Sequence, residues 1–357
     1  MNSIFIKIVF GSFMLIVSVA IEAKEITIYP IRESESVFST GDAADDPAFW
    51  FNSDKPSKSV VFGTDKKSGL HSFALNGKRM QFIPSGKINN IDIRSDFIFG
   101  AKRFSLLAAS NVSDNSIILY LINENGIIDN LKNKFITNLE SIYGLCMHQS
   151  DKLRATFIFV SDIDTSSIYQ FRVLDIFPFK AQMVRQIKLN STSEGCVADD
   201  EAGILYFAQE DEESGIYFVD TDPNKSEIGT IDRTRKYGGN IVGDTEGLAI
   251  LKYDENKLLI ASSQGSSDFT VYDLNNKKFL GRIAIGKSEN IDGVSRTDGI
   301  EIYSGRLNED FSRGIFITQD DMNMEMFDIG EALLQAKKIN QNFKFMNLDH
   351  IIKEFLD

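Results

Sequence analysis

A short polar-to-apolar unit recurs six times along this chain, and the repeat restricts the fold more than any other feature. Each copy starts with a polar residue, passes through a small or turn residue and enters a short apolar strand. Neighbouring copies are separated by 43 to 54 residues. The leading polar residues are Asp46, Asn89, Tyr143, Glu194, Glu246 and Asp298. A period of about fifty residues is typical of repeat architectures such as propellers.

Two further strand types follow in each unit. One is an apolar strand ending in a polar group, such as VVFGTD at Asp65, and the other alternates polar and apolar residues, with a weaker copy, MEMFDIG, from Met324. Alternation at period two excludes helical solenoids. Six units of about four strands predict an all-β fold, a six-bladed β-propeller with four-stranded antiparallel blades. Helices are expected only near the C-terminus, in EALLQAKK (331–338) and NLDHIIKEFL (347–356).

The N-terminal 23 residues are predicted to be a signal peptide, followed by one propeller domain over residues 24–357. Lys7 precedes an apolar run from Ile8 to Ala20, and small residues follow at Ala20 and Ala23. The protein is therefore expected to be exported, either secreted or periplasmic. Its net charge of −13 argues against nucleic-acid and membrane partners, and we expect a monomer.

The register of the two cysteines argues against a disulfide. Cys146 lies two residues after Gly144, whereas Cys196 directly follows Gly195. On pleated strands these positions face opposite sides.

Antiparallel pairing places the polar ends of the first two strand types on one face of the propeller. Four of the six leading residues are carboxylates, and crowded carboxylates need protons, cations or water around them. Their oxygens suit calcium, although a solvated polar rim would look the same in sequence. Extra acids at Asp42, Asp45 and Asp244 favour the cation site, and the adjacent Lys66 and Lys67 suit an anionic ligand.

Other phosphatase signatures are missing from the sequence. There is no Walker-type loop, no G-x-S-x-G elbow, and no arginine at the spacing of a cysteine phosphatase after Cys146. None of the three histidines stands in a metal-spaced motif, which argues against zinc.

Nine segments closely resemble the β-propeller phytases, also called alkaline phytases, in order over nearly the whole chain. The most specific are DAADDPAFW (42–50), GKINNIDIR (86–94) and GDTEGLAI (243–250). The resemblance implies a calcium-dependent phosphomonoesterase of the 3-phytase type. Its substrate would be calcium-bound phytate (myo-inositol hexakisphosphate), which a metal-activated water would hydrolyse to lower inositol phosphates and phosphate.

The resemblance also implies roles for individual residues. The carboxylates that would act in catalysis are Asp46, Glu194, Glu246 and Asp298. The ligands of several calcium ions would be Asp42, Asp45, Asp46, Glu194, Glu210, Asp244, Glu246, Gln264 and Asp298. The residues that would hold substrate phosphates are Lys66, Lys67 and Tyr143. Four further positions in matching segments have no assigned role: Asn89, Asn90, Asp92 and Asp320.

Two positions depart from the family pattern. Val112 and Ile163 stand where a phosphate-binding arginine and a lysine are expected. This departure leaves open a phytase that is slow or has an altered substrate range, or a non-catalytic propeller that binds calcium or phosphate. A propeller lactonase or related esterase is a further alternative, because such enzymes also hold calcium at a channel mouth. The Lys66–Lys67 pair favours a phosphate substrate over a lactone.

Overall fold

The structure is a computed structural model that describes residues 23–99, 102–129, 133–210, 215–328 and 334–357. The predicted signal peptide lies outside these ranges except for Ala23. Within the described ranges, no helix is long and apolar enough to cross a membrane.

Six sheets surround a central channel, which confirms the six-bladed propeller predicted from the repeat. Two short N-terminal strands come first: β1 Lys24–Ile28 and β2 Arg32–Glu33. Blade 1 contains β3 Ala44–Trp50, β4 Val60–Asp65, β5 Gly69–Ala74 and β6 Arg79–Pro84. Blade 2 contains β7 Ile88–Phe99, β8 Lys102–Asn111, β9 Ser116–Ile122 and β10 Asn133–Ile136.

The remaining blades follow the same antiparallel order. Blade 3 contains β11 Ile142–Ser150, β12 Ala155–Asp162, β13 Ser167–Ile176 and β14 Phe179–Lys188. Blade 4 contains β15 Cys196–Asp199, β16 Ile204–Gln209, β17 Gly215–Asp220 and β18 Ile228–Arg233. Blade 5 contains β19 Leu248–Tyr253, β20 Asn256–Ser263, β21 Asp268–Asp273 and β22 Lys278–Ile285. Blade 6 begins with β23 Ile300–Ser304 and β24 Gly314–Asp320.

Blade 6 is completed by strands from both ends of the chain. A hairpin of β25 Met324–Asp328 and β26 Leu334–Lys338 follows β24, and then β27 Asn342–Asn347 pairs with β24. The N-terminal β2 pairs antiparallel with β27, and β1 adds a parallel fifth strand to blade 5. The N-terminus therefore joins the last two blades and closes the ring. The only α-helix in the described residues is α1, Asp349–Phe355, and three short 3-10 helices span Pro56–Lys58, Arg235–Tyr237 and Gln264–Ser266.

Two sequence predictions in blade 6 are wrong. MEMFDIG was expected to provide the third strand, but among the described residues β25 pairs only with β26, and β27 takes that place. The reason is burial, because β27 carries Phe343, Phe345 and Met346, all fully buried against neighbouring strands. The helix expected in EALLQAKK is contradicted at Leu334–Lys338, where strand pairing with β25 overrides helix propensity. The helix expected in NLDHIIKEFL is confirmed by α1.

Adjacent blades pack through apolar side chains. Among the described residues, a buried cluster lies at each of the six blade interfaces. Phe269 of blade 5 and Phe316 of blade 6, for example, are fully buried with ring centroids 5.1 Å apart. Burying one such side chain contributes about 1.5–3 kcal/mol. The ring of clusters holds the first strand of every blade against the channel.

Cys146 and Cys196 form a disulfide, so the prediction of unpaired cysteines is wrong. Their Cα atoms lie 5.8 Å apart on β11 and β15, the adjoining inner strands of blades 3 and 4. The prediction counted alternation from Gly144, but β11 contains a bulge between Ile142 and Leu145. A bulge inserts an extra residue and changes which face the following side chains occupy.

Replacing both cysteines by alanine is expected to lower the free energy of unfolding by about 2–4 kcal/mol, because the disulfide restricts the unfolded chain across a large loop. The two cysteines are 50 residues apart in sequence. Urea denaturation of both proteins would measure the difference. A reductant should destabilise the native protein and leave the double variant unchanged. Equal stability of the native and doubly substituted proteins would contradict this expectation.

Candidate active site

Two kinds of local structure place the leading residues of the six units at one mouth of the channel. In blades 1 to 3 the inner strand contains a bulge at this point, and the leading residue lies inside it. The residues placed in this way are Asp46, Asn89 and Tyr143. In blades 4 to 6 the leading residue stands just before the inner strand, and these residues are Glu194, Glu246 and Asp298. Bulges re-aim side chains, which accounts for the convergence of the first set on the channel axis. The second set reaches the same mouth because each residue stands at the start of an inner strand.

A cleft of about 610 Å³ opens at this mouth. Its lining includes six residues that the sequence had pointed to: Asp42, Lys66, Tyr143, Glu246, Gln264 and Asp298. Two charged residues that the sequence analysis missed, Arg296 and Asp321, line it as well. The cleft is therefore bounded by acids, amides and cations from several blades.

Lys66 joins two of the acids in the DAADD segment. Its Nζ donates a hydrogen bond to Asp45 Oδ1 at 3.1 Å and lies 2.8 Å from Asp42 Oδ1. Burial raises the pKa of Asp45, and the Lys66 charge opposes that rise only in part. Burial alone would lower the pKa of Lys66, but the Asp45 charge raises it above its usual value. Lys66 is therefore a fixed positive charge on the cleft wall.

Glu194 is an almost fully buried carboxylate of the mouth. Asn89 Nδ2 donates to Glu194 Oε1 at 2.5 Å, and the Tyr143 side chain also hydrogen-bonds Glu194. Burial raises the pKa of Glu194 well above its usual value, and the charges of Asp45 and Glu246 raise it further. Burial and the Glu194 charge likewise raise the pKa of the Tyr143 hydroxyl, so this group stays protonated.

Gln264 connects the carboxylates of blades 5 and 6. Its Nε2 donates to Glu246 Oε1 at 3.0 Å and to Asp298 Oδ1 at 2.9 Å. Burial, followed by the Asp298 charge, raises the pKa of Glu246 to about 10. Burial and the Asp45 charge raise the pKa of Asp298 to about 7. These acids resist joint ionisation because they share a buried space without enough positive charge.

Two other predicted residues, Asp244 and Glu210, lie beside this group, and a third, Lys67, does not. The Asp244 carbonyl accepts from the Gln264 backbone N–H at 3.0 Å, which places the Asp244 loop against Gln264. The charge of Glu210 raises the pKa values of Glu194 and Glu246. Lys67, by contrast, extends to the Thr40 carbonyl, with Nζ 2.6 Å from that oxygen, and does not line the cleft.

A second, smaller cavity of about 80 Å³ shares Glu246 with the cleft. It is also lined by Asp46, Asn90 and Asp92, together with Arg94 and Glu301, which the sequence analysis did not single out. Asp46 Oδ2 accepts from the Ile91 backbone N–H at 2.9 Å. Asp92 pairs with Arg94 at 2.7 Å, so its carboxylate is already engaged in an ion pair.

Asp320 lies apart from the cleft, at the end of β24. Its Oδ2 is 3.6 Å from Lys344 Nζ, and Lys344 also contacts Glu33 and Asp292. Both Asp320 and Lys344 are fully buried. Asp320 is therefore part of an ionic network where β2 closes the ring.

Comparison with known proteins identifies the family of the chain. A solved luciferin-regenerating enzyme shares the fold, with a TM-score of 0.55 and 12% identity, covering 90% of this chain and 96% of that one. A 3-phytase of Bacillus subtilis (strain 168) is 36% identical over 329 residues, covering 89% of this chain and 83% of that protein. A family model described as Phytase matches residues 4–357. The chain belongs to the phytase family. The expected class of enzyme, a phosphoric monoester hydrolase of the phytase type, is thereby confirmed.

The structure shows where the two residues that depart from the phytase pattern lie. Val112 packs against the apolar cluster between blades 2 and 3. Ile163 is 38% exposed on blade 3. This side of the mouth therefore receives no cation from either position. In this phytase-family chain a cation lines the cleft instead at Arg296. Arg296 is two residues before Asp298, and this closeness in sequence is the signal from which it could have been predicted as a site residue.

Without divalent cations, the free energy of unfolding is expected to fall as the pH rises from about 5 to 9. The pKa values of Asp298 and Glu246 are raised to about 7 and about 10 in the folded protein, so the folded state binds more protons than the unfolded state. The stability that these two groups contribute is fully present below their pKa values in the unfolded chain. It is lost as the pH rises through their pKa values in the folded protein. Denaturation in a chelator at several pH values would measure the slope.

Calcium should reduce this loss, and a Glu246→Gln variant should show a shallower slope in the chelator. Stability that stays constant or rises between pH 5 and 9 in the chelator would contradict the expectation.

Proposed function

We propose that the protein hydrolyses phytate to lower inositol phosphates and phosphate, with calcium bound at the channel mouth. The observation that carries the proposal is the convergence of Asp45, Glu194, Glu246 and Asp298, all with raised pKa values, beside the cleft of a phytase-family chain. Carboxylates buried together repel one another when they are ionised. Bound cations would stabilise this set of acids by balancing their charge.

The donor chemistry supports calcium. The acids and Gln264 offer oxygen ligands, which hard cations prefer, and neither histidine nor cysteine is among them. Asp45 Oδ2 is buried and accepts no hydrogen bond from the described residues. A flip of the Gln264 amide would turn Oε1 toward the space between Glu246 and Asp298.

The described side chains do not form a ready-made metal cage. No group of three acidic, histidine or cysteine residues among them is arranged to hold an ion. The carboxylates are instead tied to Lys66, Asn89 and Gln264. Binding of a cation would therefore displace these donors and the protons held by the acids. The residues that would hold calcium are Asp45, Glu194, Glu246, Gln264 and Asp298, with Asp42, Asp46, Glu210 and Asp244 nearby.

Bound calcium would neutralise phosphate oxygens, activate a water molecule and reverse the local field of a protein with net charge −13. The chain itself supplies the positioning groups. Lys66, held by Asp42 and Asp45, presents a fixed ammonium group to a phosphate. Tyr143 keeps its proton and, on leaving Glu194, could donate it in a hydrogen bond to a phosphate oxygen.

The deciding experiment is to measure release of inorganic phosphate from phytate by the purified protein with calcium. Release at a rate above that of the Glu246→Gln variant supports the proposal. A protein that binds calcium but releases no phosphate would favour the non-catalytic alternative, and hydrolysis of a lactone alone would favour the esterase.

We also propose that the protein is exported. The N-terminal charge and apolar pattern support this, and so does the disulfide, since disulfides persist in oxidising compartments. Mass spectrometry of the exported protein should find an N-terminus at Lys24. Retention of residues 1–23 would contradict removal of a signal peptide.

A further inference from the structure

Arg296 lies on the cleft wall in the loop between β22 and β23. It lines the same cleft as Lys66, Tyr143 and Glu246, although it belongs to none of the motifs that the sequence analysis used. The residue is exposed, so its side chain is accessible to a ligand in the cleft.

The backbone on both sides of Arg296 is anchored. The Arg296 N–H donates to Ser267 Oγ at 3.2 Å, and the preceding Ser295 N–H donates to Asp320 Oδ1 at 3.0 Å. Arg296 has a φ of +43°, a conformation that side-chain-bearing residues seldom adopt. Such a conformation persists where surrounding contacts determine it. The direction in which the side chain leaves the loop is therefore set by the fold.

Arg296 and Lys66 differ in how their charges are balanced. Lys66 is paired with both Asp42 and Asp45. The Arg296 guanidinium has no acidic partner among the residues that the structure describes. Of the two cations that line the cleft in the described part of the chain, Arg296 is the one without a carboxylate partner.

We propose that Arg296 binds a second phosphate group of a polyphosphorylated substrate while the first lies against the carboxylate side of the cleft. This inference rests on the proposed function. A guanidinium group presents parallel N–H donors that match two phosphate oxygens. Since Val112 is packed into an apolar cluster and Ile163 is uncharged, neither supplies a cation on the blade 2–3 side. The second phosphate would therefore be bound on the blade 5–6 side of the mouth, by Arg296.

The test compares Arg296→Gln with a matched control, Arg306→Gln. Arg306 is an exposed arginine in the same blade, in the loop after β23 and hence at the opposite face of the propeller. Steady-state kinetics with calcium would use phytate and, as a substrate with one phosphate, 4-nitrophenyl phosphate. We expect Arg296→Gln to raise the KM for phytate about tenfold, with kcat within about twofold, since one charge-assisted contact is lost.

Three comparisons separate this role from a structural one. The KM for 4-nitrophenyl phosphate should change little in Arg296→Gln, because its single phosphate occupies the reacting position. Arg296→Lys should recover part of the affinity for phytate, and Arg306→Gln should leave both KM values unchanged. A phytate KM in Arg296→Gln within about twofold of the native value would overturn the proposal, as would an equal increase in Arg306→Gln.

Failure of this inference can be distinguished from failure of the proposed function. If the native protein releases phosphate from phytate and Arg296→Gln behaves identically, only the role of Arg296 is wrong. If the native protein releases none, the proposed hydrolysis is wrong, and calorimetric binding of phytate decides the role of Arg296. Weaker binding by Arg296→Gln than by Arg306→Gln would support the phosphate contact, and equal binding would refute it.

Discussion

Glu246→Gln should lower kcat/KM for phytate by about 100- to 1000-fold, the range seen when one electrostatic group is removed from a preorganised site. Glutamine keeps the size of the side chain and a hydrogen-bonding group for Gln264, but it removes the negative charge. Glu246 is at the centre of the acidic group, since it contacts Gln264 and its pKa responds to Asp298. The measurement is phosphate release at several phytate concentrations with excess calcium.

The matched control is Glu309→Gln, because Glu309 is exposed in the loop after β23 at the opposite face. It makes the same change of charge and should retain native activity. In a chelator, Glu246→Gln should be at least as stable as the native protein, because the substitution relieves repulsion between buried acids. Loss of activity would then not reflect unfolding. A Glu246→Gln variant with native activity would refute the channel mouth as the active site.

Removal of calcium should have the second large effect. We expect a chelator to reduce phosphate release more than 100-fold and added calcium to restore it, because the acids would revert to protonated or internally paired forms. A ligand present at a hundred times its dissociation constant stabilises the folded state by about 2.7 kcal/mol. The midpoint of thermal unfolding should therefore fall in the chelator.

The two substitutions provide the controls for this experiment as well. Calcium should raise the unfolding midpoint of Glu309→Gln as much as that of the native protein, and that of Glu246→Gln by less. Magnesium in place of calcium would test whether the site requires the larger ion. Full activity in the chelator would exclude the calcium mechanism, whatever the effect on stability.

The predictions from sequence succeeded where a pattern was repeated and local. The six leading residues predicted the number of blades, the inner strands and the face on which the acids gather, since strand direction and hydrogen bonding leave few alternatives. The DAADD segment likewise predicted a cluster of acids that the structure places around Lys66. These are consequences of periodicity and of residues adjacent in the chain.

The predictions failed where the answer depended on a contact distant in sequence or on a single irregularity. A bulge in β11 turned Cys146 toward Cys196, and no alternation rule crosses such a bulge. MEMFDIG has the pattern of a third strand, yet β27 occupies that position and fills the core with three fully buried apolar side chains. Competition between two segments for one place is decided by packing.

The acidic character of the channel mouth and its six-fold frame were determined by the sequence itself, because evenly spaced strands must present their polar ends together. The tertiary structure alone decided how the charges are balanced. It tied Lys66 to two acids, packed Val112 against an apolar cluster and placed Arg296 on the cleft wall. Burial and pairing depend on which side chains meet across blades, and positions far apart in the chain carry no local signal of that meeting.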